Sequence, residues 1–128
     1  MNPSSTLSSM KILLVESNEW VRDSLSLAFE KTGCTTKAVD FAEKAIKALR
    51  KEHFDIIISD FRLPEYDGLA FFNLTNIFPQ DCLKVLISTG VSKDMINESK
   101  AAGVHEVIEK PFAFKKLIDT LNVLIDQR

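Results

Sequence analysis

Five short apolar runs alternate with five stretches of helical spacing, and this alternation leaves the chain few ways to fold. The runs are Lys11–Val15, Thr35–Val39, Asp55–Ser59, Lys84–Ser88 and Val104–Glu109, bounded by turn-forming residues. Between them the sequence predicts helices over 18–31, closed by Gly33, and over 41–51, capped by Asp40. Two more are predicted over 69–77, ahead of Pro79, and over 93–102, closed by Gly103. A last helix follows Pro111, with Phe114, Leu117, Ile118, Leu121, Leu124 and Ile125 forming a core-facing stripe.

Strict strand–helix alternation implies a parallel sheet with right-handed crossovers and helices on both faces. The first, third and fourth runs are the most apolar and belong in the centre. Thr35, Thr36 and Lys37 mark the second run as an edge, and His105 and Glu106 mark the fifth. The order 2-1-3-4-5 satisfies both requirements. It describes an α/β, doubly wound (βα)5 sheet whose switch point lies between strands one and three, where ligands bind beyond the strands' carboxyl ends.

At 128 residues the chain suits one domain with its own core. A net charge of -2, with basic residues clustered only in pairs such as Arg50-Lys51 and Lys115-Lys116, argues against nucleic acid as a direct partner. No stretch approaches the roughly 18 apolar residues of a membrane span. Residues 1–9 lack the basic and apolar regions of a secretory signal, so they read as a flexible tail before a domain over 10–128. Cys34 and Cys82 lack metal-ligand spacing and read as reduced thiols of a cytoplasmic protein, and His53 and His105 as surface or edge residues.

The chemistry gathers at strand ends. Glu16 follows the first run, Asp60 the third and Lys110 the fifth. Two carboxylates and an ammonium on one rim suit phosphoryl transfer, in which a carboxylate can be the nucleophile and nearby cations offset charge.

Four stretches carry a family resemblance: Lys11-Ile12-Leu13-Leu14-Val15-Glu16, Ser59-Asp60-Phe61-Arg62-Leu63-Pro64-Glu65-Tyr66-Asp67-Gly68, Ile87-Ser88-Thr89-Gly90 and Glu109-Lys110-Pro111-Phe112. Each alone is weak; together, in order and on the right strand ends, they are specific. From Lys11 to Gln127 the chain resembles a response-regulator receiver domain of two-component signalling, with the flavodoxin-like fold of the CheY-like superfamily. The resemblance implies that Asp60 is the phosphoacceptor, phosphorylated by a histidine kinase or phosphotransfer protein. It implies Mg²⁺, with Mn²⁺ as an alternative, held by Glu16, Asp60 and the backbone carbonyl of Arg62. Lys110 would pair with a phosphate oxygen, and Ser88 would hydrogen-bond the phosphate and move towards it. The first helix would meet the phosphodonor, with Trp20 either an exposed anchor for it or partly buried against the neighbouring helix. The implied role is that of a signalling domain rather than a turnover enzyme, either stand-alone or cut from a larger protein with an output domain.

Three positions depart from the family pattern. Ser17 stands where a second acid usually ligates the metal, which predicts a weakened cation site, with Glu19 as a partial substitute. Val107 stands where an aromatic switch residue is common, and Thr89 where a smaller residue is favoured, which puts the usual output route in doubt. The main alternative is a pseudo-receiver that binds partners without cycling phosphate. A haloacid-dehalogenase-type phosphatase would need a second acid where Arg62 stands. A flavodoxin-like carrier would need a phosphate loop that Glu16-Ser17-Asn18 does not supply.

Overall fold

The computed structural model describes residues 7–79 and 81–128. Its strands are β1 (Lys11–Val15), β2 (Thr35–Val39), β3 (Ile56–Asp60), β4 (Leu83–Ser88) and β5 (Glu106–Glu109). They alternate with α1 (Glu19–Lys31), α2 (Ala42–Lys51), α3 (Gly68–Thr75), α4 (Lys93–Ala101) and α5 (Phe114–Asp126). All strands are parallel, in the order β2-β1-β3-β4-β5, as the apolar pattern requires.

Central strands are mainly apolar because both of their faces are covered. On one face Leu13, Val15, Ile57 and Leu86 pack against α2 and α3 through Ala45, Leu49, Phe71 and Phe72. On the other, Ile12, Leu14, Ile58 and Ile87 meet α1 and α5 through Leu25, Phe29, Leu117 and Leu121. Phe29 and Phe114 lock α1 to α5 edge to face, with ring centroids 5.0 Å apart. No helix among the described residues is long and apolar enough to cross a membrane.

Helix starts follow short polar side chains. Asn18, Asp67 and Ser92 accept the amides of Val21, Ala70 and Met95 at 3.1, 2.9 and 3.1 Å. Gly33 and Gly103 leave α1 and α4 with φ of +93° and +88°, where a side chain would be strained.

Asp40 is not the cap of α2. Its carboxylate pairs with Lys44 at 2.9 Å, and Phe41 occupies the cap position without a side-chain acceptor. β3 runs through Asp60, whereas β5 begins two residues later than the apolar run suggested, and α3 ends at Thr75. The expected tail over 1–9 also needs revision at its inner end. Residues 1–6 lie outside the described residues, but Leu7 is buried in the α1–α5 core, and its carbonyl accepts Met10 N–H at 3.0 Å and Cys34 Sγ–H at 3.2 Å. An apolar side chain beside an open core corner gains by packing, despite its polar neighbours.

Candidate functional site

Sheet register brings the charged strand ends together. Val15 is paired with Ser59, so the next residues, Glu16 and Asp60, emerge side by side at the switch point. Across β4, Lys110 N–H donates to the Ser88 carbonyl at 2.8 Å, which sets the lysine on the same rim. Its Nζ lies 2.9 Å from Glu16 Oε1 and 3.4 Å from Asp60 Oδ1. Ninety-four residues separate Lys110 from Glu16 in sequence. They meet only because parallel topology gathers all strand carboxyl ends at one edge.

Burial governs the electrostatics. Glu16 is 1% exposed and Asp60 8% exposed, so neither carboxylate is freely hydrated. Loss of water raises the pKa of Asp60 above the ordinary aspartate value, the charge of Glu16 raises it further, and the Lys110 ammonium pulls against both. Glu16 is held at both oxygens, since Oε2 accepts Asn18 N–H at 3.1 Å while Oε1 takes Lys110. A perturbed acid in a crevice beside charged partners, as Asp60 is, is a mark of chemistry.

Ser17 and Arg62 come together at the same edge. Ser17 Oγ donates to the Arg62 carbonyl at 3.4 Å. The two carboxylates, this hydroxyl and this carbonyl form an all-oxygen donor set, which suits a hard divalent cation completed by water. Among the described residues no three acid, histidine or cysteine side chains cluster, so such a cation would meet two formal charges. Glu19 is exposed in the first turn of α1.

Ser88 is buried and turned towards its own loop, its hydroxyl donating to the Gly90 carbonyl at 2.8 Å. Val107 is half-buried on β5, packed against the core, and Thr89 is exposed. Trp20 is 85% exposed. It borders a groove of about 450 Å³ between α1 and the β5–α5 loop, with Leu25, Phe112, Phe114 and Lys110 among its walls.

Three supports were not legible in the sequence. Arg22 donates to the carbonyls of Glu16 and Ser17 at 3.0 and 3.5 Å, bracing the β1–α1 loop. Gly68 packs directly on the backbone of Asp60. Glu65 reaches α2, where its oxygens accept Ala42 N–H at 3.1 Å and Glu43 N–H at 3.0 Å. The missing acceptor at Phe41 was the available signal for the last of these.

Comparison with known proteins agrees with this architecture. The profile of the response regulator receiver domain matches residues 12–122. FleR, a response regulator protein of Pseudomonas aeruginosa, is 34% identical over 111 residues, covering 85% of this chain and 23% of its own length. Sporulation initiation phosphotransferase F of Bacillus subtilis is 29% identical over 112 residues, covering 87% of this chain and 90% of its own. The solved structure of the Vibrio cholerae chemotaxis protein CheY4 superposes with a TM-score of 0.84 at 26% identity, covering 88% of this chain and 95% of that one. Some relatives are far longer, and this chain spans only 16% to 23% of several of them. A profile match over most of the chain, on a sheet whose strand ends gather Glu16, Asp60 and Lys110, establishes that the chain belongs to the response regulator receiver domain family.

Proposed function

We propose that this chain accepts a phosphoryl group on Asp60 from a histidine kinase or phosphotransfer protein. The observation that carries the reading is Lys110 Nζ bridging Glu16 Oε1 and Asp60 Oδ1 at 2.9 and 3.4 Å. In the proposed reaction a carboxylate oxygen of Asp60 attacks phosphorus. The new O–P bond replaces the donor's N–P bond, and the departing imidazole keeps the electron pair. Lys110, a compact cation, pairs with an oxygen of the transferred group. Ser88 offers it a hydrogen bond once its hydroxyl leaves the Gly90 carbonyl.

Glu16, Asp60 and the Arg62 carbonyl would hold Mg²⁺, or Mn²⁺ in its place, with Ser17 a weak fourth donor. When bound, the cation supplies charge neutralisation at the phosphoryl oxygens. The exposed ring of Trp20 and the apolar groove beside Lys110 support docking of the phosphodonor on this side of the site. Incubation with acetyl phosphate and Mg²⁺, read by intact mass, tests the reading. The wild type should gain one phosphoryl group and Asp60→Asn none.

A second reading draws on one observation, the two-acid site. With Ser17 neutral, a pseudo-receiver would bind partners without being phosphorylated. Labelling of Ser17→Asp but not of the wild type would favour it.

A further inference from the structure

We infer that Glu65 is a positioning residue, which holds the Arg62 carbonyl at the cation-binding edge by clasping the N-terminus of α2. The inference rests on the proposed reading of the site and extends it to a side chain outside the site itself.

The loop from Phe61 to Asp67 is pinned at its ends. Phe61 N–H donates to the Ile87 carbonyl, and Gly68 N–H to the Phe61 carbonyl, both at 2.7 Å. Between these anchors Leu63 and Tyr66 rest on the core as half-buried side chains, contacts with little directional preference. Glu65 supplies a directional tie. Its two oxygens take separate amides of the first turn of α2, Ala42 at 3.1 Å and Glu43 at 3.0 Å. Phe41, at the cap position, leaves those amides without a local acceptor, and a helix N-terminus favours a carboxylate. Engagement of both oxygens fixes where the side chain lies and how it is turned, and therefore where its backbone sits.

Arg62 is exposed and stands three residues before Glu65, with its carbonyl meeting Ser17 Oγ at 3.4 Å. With only two acids in the donor set, a correctly placed carbonyl carries a larger share of cation affinity than it would beside three. Release of the clasp lets the middle of the loop, and that carbonyl, drift.

Capping and positioning can be separated by where a new cap is placed. Glu65→Ala removes both functions. Adding Phe41→Ser restores a local acceptor to α2 but leaves the loop untied. Thermal stability and Mg²⁺ affinity, by calorimetric titration, are measured for the wild type, Glu65→Ala and the double variant, each with and without Ser17→Asp. Glu65→Ala should weaken Mg²⁺ about fivefold, the equivalent of about 1 kcal/mol. The double variant should recover melting temperature without recovering affinity. Recovery of both, or unchanged affinity in Glu65→Ala, overturns the positioning role and leaves the site reading intact. Absence of Mg²⁺ binding in the wild type and in Ser17→Asp alike would overturn both.

Discussion

Gly68 sits so close to Asp60 that a Cβ at position 68 would lie 2.5 Å from the Asp60 carbonyl oxygen and 2.8 Å from Leu86 Cδ1. The glycine that starts α3 is therefore part of the packing behind the proposed phosphoacceptor. Its role is close approach of two backbone segments, not an unusual φ.

Gly68→Ala should destabilise the fold by about 2–3 kcal/mol, because the backbone of β3 or the start of α3 must shift to admit the methyl group. Urea denaturation gives the magnitude. A loss under about 0.5 kcal/mol would mean that the two segments separate easily.

Lys110→Ala leaves Glu16 and Asp60 buried together without their ammonium. Truncating one member of a buried ion cluster costs about 3 kcal/mol, and that is the loss expected at pH 7. The deficit should shrink on acidification, as the buried Asp60, whose pKa is already raised, takes up its proton. Denaturation midpoints at neutral and acidic pH check both statements.

Asp60 has a raised pKa, chiefly from burial and then from Glu16, so the folded state binds its proton more tightly than the unfolded chain does. Its contribution to stability is fully present below the ordinary aspartate value of 3.8 and is lost as pH rises through the folded value. Asp60→Asn should therefore be more stable than the wild type at pH 7, while Lys110 keeps Glu16 as its partner. The gap should close as pH falls below 3.8. An Asn variant less stable than the wild type at pH 7 would contradict the burial penalty.

Ser17→Asp adds a third charge to the donor set. A unit charge pair at 4 Å is worth about 4 kcal/mol at an effective dielectric of 20. Even a quarter of that strengthens binding about fivefold. Titration calorimetry with Mg²⁺ should show at least this gain, and an unchanged affinity would place Ser17 outside the cation site.

Parallel topology explains why so much of the molecule could be read from its sequence. The mostly apolar β1, β3 and β4, against the more polar β2 and β5, reveal which strands are buried on both faces. Crossover handedness and the switch-point rule then place Glu16 and Asp60 together without further information. Asn18 and Gly33 mark the ends of α1 through contacts within one or two turns, so they too were visible in advance.

Contacts between distant loops follow no such periodicity. The bond from Glu65 to Ala42 spans 23 residues and exists because two loops fold over the same sheet edge. Leu7 packs beneath α1 from an otherwise polar leader, and Ser88 turns to Gly90, for reasons of local space. The sequence by itself determined the sheet, its order and the three charged strand ends, since hydrophobic periodicity and backbone chirality act on every residue alike. Tertiary structure alone decided the clasp on α2, the exposure of Trp20 and the close approach of Gly68 to Asp60, because each depends on where separate segments come to rest in space.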